Sequence, residues 1–405
     1  MKILLAHNNY NLVGGAEVFY HEVGRVLAKN NHQVAYFSPN DSDVDSKWKS
    51  YFPDVINYKQ KNILNSIFNI KNIIYSQNVK ENFIELLNDF KPDIVHVFAI
   101  YARLTPSILD ACREYGVPVV MSCNDYKHIC PNYKLFRNGS LCEDCKGGKF
   151  YNATINRCAK SSTMYSVAST IEAYVHKHMD IYKKNVRIFL FASEFMAKKT
   201  EQFWGAQSFN WDILKNPFDS KKYPLCKDYE DYCLYFGRLI DEKGVDILVK
   251  AMSVIPQCNL KIIGSGPDED MLKELVDGLG VNNVEFLGPK WGEELDDVLK
   301  KARFVVVPSL WHENFPYVIL QSFAFGKAVI GSDRGGIPEL VGAGDFGHVY
   351  KATDFNELSE KIIDLWNSPE STVVMGKKAK DYMDKNFNDD RFYKNIIRIY
   401  NKVLL

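Results

Sequence analysis

The chain has 405 residues, of which 46% are hydrophobic and 25% are charged, and this length is enough for two or three domains with full cores. Its 50 basic and 50 acidic side chains leave no formal net charge, which argues against a dedicated nucleic-acid-binding protein. No apolar run approaches the roughly 20 residues that a membrane-spanning helix needs. The first residues turn polar at His7, too early for a signal peptide, so we expect a cytoplasmic protein.

The first half of the sequence alternates short apolar runs with helical spacing of apolar residues. Strands are predicted at 2–6 and 34–37, on either side of a glycine loop and a helix at 16–30. This alternation is typical of a parallel α/β sheet. We assign 1–213 to a first Rossmann-like domain. Its other predicted elements are helices at 81–90, 106–115 and 163–181 and strands at 94–98, 117–122 and 187–192.

The same alternation restarts after the turn-rich segment at 216–219 and predicts a second Rossmann-like domain at 214–385. Ligands of such sheets bind at the carboxyl ends of the strands. Two halves of similar size therefore predict an α/β protein with a ligand cleft between its domains. The strands predicted here are 232–237, 260–263, 284–287, 304–307 and 328–331, and the last predicted helix lies near 391–403.

A cysteine-rich segment at about 123–162 interrupts the first half and predicts an irregular insertion. Cys130, Cys142, Cys145 and Cys158 are spaced C-x11-C-x2-C-x12-C. Four thiolates at such spacing favour a tetrahedral, structural zinc ion with no open position for catalysis. An iron–sulfur cluster and four simple thiols remain as alternatives.

Two short motifs have the composition of phosphate sites. Gly14 and Gly15 follow the first strand and open the first helix, where a close backbone approach and the helix N-terminus favour an anion. Arg238 and Lys243 follow the first strand of the second half, and a guanidinium with a nearby ammonium suits a diphosphate. The alternatives are a tight turn for the glycines and surface ion pairs with neighbouring carboxylates for the cations.

The segment 308–321 places a carboxylate, Glu313, where a strand gives way to a helix. Pro316 suits an early helical position, so the amides from Asn314 onward are expected to be available for a phosphate. Glu313 is then available to accept hydrogen bonds from sugar hydroxyls. The alternative is an acidic residue that merely favours the helix dipole.

Taken in this order, the motifs resemble the retaining glycosyltransferase family 4. That family has the GT-B fold, in which two Rossmann-like domains face an interdomain cleft, and the resemblance covers nearly the whole chain. It also implies that the final helix, 386–405, crosses back to the first domain. The segments that carry the resemblance are 14–17, 216–219, 237–244, 264–267, 308–313 and 335–339.

The resemblance also assigns roles to residues. Arg238 and Lys243 should bind the donor diphosphate, and Glu313 should hold the transferred sugar, which makes these three the catalytic set. The first domain is expected on the acceptor side, where we place Asn124 and Asp125. The donor-binding residues expected beside the catalytic set are Gly14, Gly15, Gly237, Gly266, Asn314, Phe315, Pro316 and Gln321.

Two positions depart from the family pattern. Gln321 stands where the family usually has a second glutamate for the ribose hydroxyls, and glutamine accepts hydrogen bonds without a charge. Asn124 stands where many members have a histidine, and asparagine does not exchange protons near neutral pH. His96, after a predicted strand, is expected to be a strand-end or core histidine.

The resemblance predicts a retaining transfer of a hexose-type sugar from a nucleotide diphosphate sugar to a glycan or lipid-linked glycan, as in surface polysaccharide or lipopolysaccharide assembly. No cofactor is required for that chemistry. A sugar- or nucleotide-binding pseudoenzyme is the first alternative, because of Gln321 and Asn124, and a nucleotide-sugar epimerase is the second. Residues 127–187 hold 11 basic and 4 acidic side chains, which is consistent with peripheral contact at the inner face of an anionic membrane.

Overall fold

The computed structural model describes residues 1–12, 14–40, 46–54, 71–101, 103–226, 228–342 and 345–405. The chain divides into two compact units. The first comprises Met1–Leu135, Glu143–Pro217 and Phe392–Leu405, and the second comprises Phe136–Cys142 and Phe218–Arg391.

The first unit contains a six-stranded parallel sheet with the order β2-β1-β3-β4-β7-β8. Its central strands are buried, because a parallel sheet is covered by helices on both faces and so reads as nearly continuous apolar runs. The strands are β1 (Lys2–Ala6), β2 (Gln33–Phe37), β3 (Ile94–Val97), β4 (Val119–Cys123), β7 (Ile188–Phe191) and β8 (Trp211–Ile213).

Helices along the described part of the chain contribute to the first unit. They are α1 (Gly15–Lys29), α2 (Gln77–Phe90), α3 (Ser107–Tyr115), α4 (Tyr151–Ile155), α5 (Thr163–His178), α6 (Glu194–Trp204) and the last helix, α14 (Asp389–Leu404).

The last helix is held in the first unit by an apolar stripe and a hydrogen bond. Phe392, Ile396, Ile399 and Tyr400 have the spacing of one helix face and join the buried cluster that contains residues of β1, β3 and α1. The hydroxyl of Tyr400 lies 2.7 Å from Nδ1 of His96 on β3. His96 is fully buried, so it is a core histidine.

The second unit contains another six-stranded parallel sheet, with the order β11-β10-β9-β12-β13-β14. Its strands are β9 (Cys233–Phe236), β10 (Leu260–Ile263), β11 (Val284–Phe286), β12 (Phe304–Val307), β13 (Ala328–Ser332) and β14 (Gly347–Tyr350). Its helices are α7 (Val245–Ser253), α8 (Glu269–Gly278), α9 (Glu293–Lys301), α10 (Tyr317–Ala324), α11 (Ile337–Val341), α12 (Phe355–Asn367) and α13 (Pro369–Asn386). The prediction of an α/β protein with two Rossmann-like domains is confirmed.

A small hairpin from the cysteine-rich segment belongs to the second unit. Strands β5 (Phe136–Arg137) and β6 (Ser140–Leu141) pair antiparallel, and the turn between them has positive φ angles at Asn138 and Gly139, as a tight hairpin turn requires. Phe136 packs in a buried cluster with Leu310 and Ala352. These hairpin residues lie within 1–213, the range that the sequence predicts for the first domain.

Within the described residues, every helix is too short or too polar to cross a bilayer.

Candidate active site

An ion pair joins the loops that follow two adjacent strands of the second sheet. Lys243 ends the short 3₁₀ turn Asp241–Lys243 after β9, and Glu313 lies between β12 and α10. Strands β9 and β12 are parallel neighbours, so their carboxyl ends lie at the same edge of the sheet. Nζ of Lys243 lies 2.6 Å from Oε1 of Glu313, and only 8% of the glutamate side chain is exposed.

Glu313 is held as a carboxylate. Burial alone would raise its pKa, but the charge of Lys243 and hydrogen bonds from Lys243 and Ser309 outweigh burial and hold the pKa below its usual range. The Ser309 hydroxyl donates to Oε1 at 2.8 Å. A charged acceptor is therefore fixed at this edge of the sheet, with its orientation set by two donors.

The backbone around Glu313 is packed against a glycine turn. Gly336 donates its amide to the Glu313 carbonyl at 2.8 Å. Gly335 has a φ of +61°, and a Cβ there would lie 2.0 Å from the same carbonyl oxygen. Only glycine combines this left-handed backbone with so close an approach, which explains the glycine pair of the 335–339 motif.

Arg238 follows β9, as Lys243 does, but the contacts of the two side chains differ. Its residue is exposed, and within the described residues its guanidinium forms no ion pair. Tyr235 donates its hydroxyl to the Arg238 carbonyl at 2.8 Å. Burial raises the pKa of Tyr235, the charge of Glu313 raises it further, and the charge of Arg238 lowers it. Tyr235 therefore lies within electrostatic range of both charged groups.

The predicted glycines of the second half lie in the same set of loops. Gly237 directly follows β9, and its amide donates to Ile263 at the end of β10. At Gly266 a Cβ would lie 2.1 Å from the Leu239 carbonyl oxygen. These two glycines thus allow the loops after β9 and β10 to pack backbone against backbone.

The four remaining candidates of the second half surround the start of α10. Phe315 is buried, with its ring stacked on Phe387 at 5.9 Å between centroids. Pro316 is the N-cap residue of α10 in an extended conformation, one position before the predicted helical place. Asn314 precedes them in the loop and is half-buried, as is Gln321 on the helix itself.

In the first unit, the predicted glycine motif lies beside a buried polar group. Gly14 is the N-cap of α1 with an extended φ of −167°, and Gly15 begins that helix. Glu17, in its first turn, accepts a hydrogen bond from the Asn9 side chain at 2.9 Å. His7 lies 4.0 Å from the same carboxylate oxygen. Burial lowers the pKa of His7, although the charge of Glu17 opposes the shift.

Asn124 and Asp125 directly follow β4, at the same edge of the first sheet as His7 after β1. Oδ1 of Asp125 accepts from the Tyr101 hydroxyl and from the Lys127 amide, both at 2.9 Å. Burial raises the pKa of Asp125, against the effect of these two donors. Nδ2 of Asn124 is buried, and within the described residues it has no hydrogen-bond partner.

The structure gives no support for the predicted zinc site. All four cysteines lie in described residues, and among those residues no three metal-binding side chains of histidine, cysteine, aspartate or glutamate come together. Cys130 instead lies 3.0 Å from the Asn132 side-chain oxygen.

Several polar residues at these sheet edges did not emerge from the sequence. Ser309, His7 and Asn9 each come within three residues of a strand's end, which is the signal that would have indicated them. Arg103 gave no signal, because it is brought to Asn9 by the fold, with Nη1 donating to Oδ1 at 2.6 Å.

Comparison with known proteins places the chain among glycosyltransferases. Its residues 13–222 match the family described as Glycosyltransferase Family 4, and its residues 218–382 match Glycosyl transferases group 1. An uncharacterized glycosyltransferase of Methanocaldococcus jannaschii is 31% identical over 176 residues, or 44% of this chain and 49% of the relative. An uncharacterized 42.6 kDa protein in the cps region of Klebsiella pneumoniae is 25% identical over 356 residues, 84% of this chain and 87% of that protein. The chain thus spans about half the length of the first relative and most of the second.

Solved structures resemble the chain over its full length. Sucrose-phosphate synthase from Thermosynechococcus elongatus aligns with a TM-score of 0.72 at 17% identity, covering 99% of this chain and 98% of that one. HepE from Anabaena, solved with UDP and glucose, aligns with a TM-score of 0.64 at 17% identity, covering 99% of both chains. At this identity the likeness establishes the fold, GT-B. The chain belongs to glycosyltransferase family 4.

Proposed function

We propose that this protein is a retaining glycosyltransferase that moves a hexose-type sugar from a nucleotide diphosphate sugar to a glycan or lipid-linked glycan, in surface polysaccharide biosynthesis. The observation that carries the proposal is the ion pair of the half-buried Lys243 with the buried Glu313, near the exposed Arg238. Two cations suit the two phosphates of a donor, and a fixed carboxylate suits the hydroxyls of its sugar.

The proposed mechanism relies on position and charge. Lys243 and Arg238 stabilise the negative charge that builds on the leaving diphosphate, while Glu313 orients the sugar. The departing phosphate oxygen takes the proton of the acceptor hydroxyl as the new glycosidic bond forms on the same face of the sugar. Neither a protein nucleophile nor a resident cofactor takes part. HepE was solved with UDP and glucose. It supports a nucleotide-sugar donor for this chain only through the fold that the two proteins share.

A relative with a lipid acceptor supports the proposed acceptor class. The chain is 31% identical over 162 residues to a GDP-mannose-dependent mannosyltransferase of Corynebacterium glutamicum that acts on a monoacylated phosphatidylinositol monomannoside. It is 26% identical over 155 residues to the sulfoquinovosyl transferase of Arabidopsis thaliana. Neither similarity covers half of this chain. The identities of the donor and the acceptor are therefore proposed here.

Helix α5 supports peripheral membrane contact from the cytoplasm. It exposes Met164, Tyr165, Val167 and Ile171 to solvent, and it lies within the 127–187 segment that carries 11 basic and 4 acidic side chains. Exposed apolar side chains among basic residues suit an anionic bilayer surface.

The proposal is tested first by nucleotide binding. Thermal shifts are measured for nucleoside diphosphates and their sugars, because a ligand of the folded state raises the melting temperature. We expect one nucleotide to stabilise the wild type and the exposed-arginine control Arg187→Ala equally. Arg238→Ala should keep its fold but lose about 100-fold or more in kcat/KM, the usual effect of removing one transition-state donor.

Product analysis then separates the proposal from its alternatives. NMR of the product should show the anomeric configuration of the donor retained. Nucleotide binding with no turnover of any donor would indicate a pseudoenzyme, and an epimerised nucleotide sugar with water as the only acceptor would indicate an epimerase. An unchanged kcat/KM for Arg238→Ala would remove the proposed diphosphate site.

A further inference from the structure

The first unit contains a cavity that the proposed donor site does not use. Its volume is about 210 Å³, and it lies between the residues after β4, the 145–150 segment and helix α5. Lys127, Phe150, Glu172 and Trp204 are among the residues that line it. The cysteine-rich segment therefore contributes one wall of a small pocket.

Glu172 gives this pocket an unusual polar group. The residue is 3% exposed, and its Oε2 accepts from Nζ of Lys127 at 2.6 Å. Lys127 also donates to the Pro131 carbonyl at 3.1 Å. The other oxygen of the carboxylate, Oε1, is buried and within the described residues has no hydrogen-bond partner. A buried acceptor without a donor costs free energy, so a ligand that supplies an O–H would be stabilised here.

The walls combine aromatic and apolar side chains with further charged residues, Lys177, Asp180 and Lys183. Phe150 is in contact with Tyr174 at 5.3 Å between ring centroids, Trp204 packs on His128 at 5.3 Å, and Tyr182 lines another side. Ligand pockets commonly combine such walls with a few polar groups that fix orientation. A sugar ring has this same combination, with C–H faces for aromatic rings and hydroxyl edges for a carboxylate.

We propose that this cavity binds one neutral sugar residue of the acceptor glycan. Pockets for drug-sized ligands measure about 300–1,000 Å³, so 210 Å³ suits a single ring. A sugar hydroxyl donates to Oε1 of Glu172, and the ring lies against the aromatic side chains. An anionic ligand is disfavoured, because Oε1 of Glu172 would repel it and the cations of the lining already have partners. Lys127 is paired with Glu172, Lys183 lies 3.8 Å from Asp180, and Lys177 donates to the Gly147 carbonyl at 3.4 Å. The inference rests on the proposed function, since it assigns the sugar to the acceptor.

The test fills the pocket without removing a polar group. Ala173 on α5 lines the cavity and Ala168 on the same helix does not, and both are half-buried. Ala173→Leu and Ala168→Leu are therefore matched variants. Saturation-transfer NMR with methyl glycosides of glucose, galactose, mannose and N-acetylglucosamine measures sugar binding. At least one should bind the wild type and Ala168→Leu alike and bind Ala173→Leu about tenfold more weakly, a loss of roughly 1.4 kcal/mol.

A second variant guards against a folding defect. Glu172→Gln keeps the size of the side chain but removes its charge, so we expect about fivefold weaker glycoside binding with an unchanged circular dichroism spectrum. If Ala173→Leu does not fold, Glu172→Gln decides. Equal binding by the wild type and the folded pocket variants, or no glycoside binding by the wild type, would overturn the proposal.

Nucleotide diphosphate binding, measured on the same wild-type samples, reports separately on the second unit. Nucleotide binding without glycoside binding would overturn the pocket and leave the proposed function intact. Glycoside binding that Ala173→Leu weakens, without nucleotide binding, would support the sugar pocket and contradict the proposed donor.

Discussion

Lys243 and Glu313 are 70 residues apart in sequence, yet Nζ of one lies 2.6 Å from Oε1 of the other. The pair spans the loops after two neighbouring parallel strands, and Ser309 donates to the same carboxylate oxygen. In the proposed reaction a donor diphosphate competes with Glu313 for the ammonium, and the sugar offers hydroxyls to the carboxylate in return. Without the donor, Lys243 neutralises the buried Glu313 carboxylate, whose charge would otherwise be costly.

The first prediction concerns stability against pH. The folded-state pKa of Glu313 lies below its ordinary value of 4.5, so near that pH the unfolded chain binds more protons than the folded one. The carboxylate therefore contributes stability that is present above about pH 4.5 and is lost as pH falls through the folded pKa. Urea unfolding of wild type and Glu313→Gln should show a difference in free energy that is constant above about pH 6 and shrinks as the pH falls below about 4.5. A constant difference would mean that the pair does not favour the charged form.

The second prediction concerns the departure at Gln321. A carboxylate accepts hydrogen bonds from ribose hydroxyls more strongly than an amide does. We therefore expect Gln321→Glu to bind the nucleotide about three- to tenfold more tightly, a gain of roughly 0.7–1.4 kcal/mol by calorimetry. Gln202→Glu, at an exposed position of α6, should bind as the wild type does. Weaker binding by Gln321→Glu would show that this position does not face the ribose.

The sequence predicts the loops of the candidate site better than it predicts the edge strands of the two sheets. Arg238, Lys243 and Glu313 lie in loops directly after apolar strands, so their shared sheet edge follows from parallel topology. Strands β8 and β14 were missed because they are short edge strands that are mostly half-exposed, and so they lack the apolar run that indicates a buried strand.

The cysteine-rich segment shows what sequence spacing leaves undetermined. Four cysteines at regular intervals satisfy the ligand count of zinc, but coordination requires them to converge in space. The hairpin at Phe136–Cys142 packs with Leu310, and that contact joins residues more than 160 positions apart. Local pattern contains no information about such a contact, so the pocket beside Glu172 also had to come from the structure.

The third prediction concerns the glycine turn that supports Glu313. A methyl group at Gly335 would lie 2.0 Å from the Glu313 carbonyl oxygen, on a backbone with φ of +61°. Gly335→Ala should therefore destabilise the protein by more than about 2 kcal/mol and displace the carboxylate. The matched control is Gly278→Ala in α8, where nothing lies within 4 Å of the new methyl, and it should stabilise by about 0.5–1 kcal/mol. Thermal unfolding and nucleotide affinity measure both effects, and equal melting temperatures for the two variants would contradict the argument.

The last prediction concerns how the C-terminal helix is held. The Tyr400 hydroxyl lies 2.7 Å from Nδ1 of His96, and burial lowers the pKa of that histidine to about 3, so the ring stays neutral. Tyr400→Phe leaves a buried ring nitrogen without its partner, which should cost about 1–3 kcal/mol in urea unfolding. Tyr393→Phe provides the matched control, because its hydroxyl lies 2.9 Å from Nε2 of His32 in a part-buried contact, where water replaces the lost bond. In this variant His96 keeps its other hydrogen bond, between Nε2 and the Ser122 hydroxyl at 2.8 Å. If Tyr400→Phe is as stable as Tyr393→Phe, the helix is held by its apolar stripe alone.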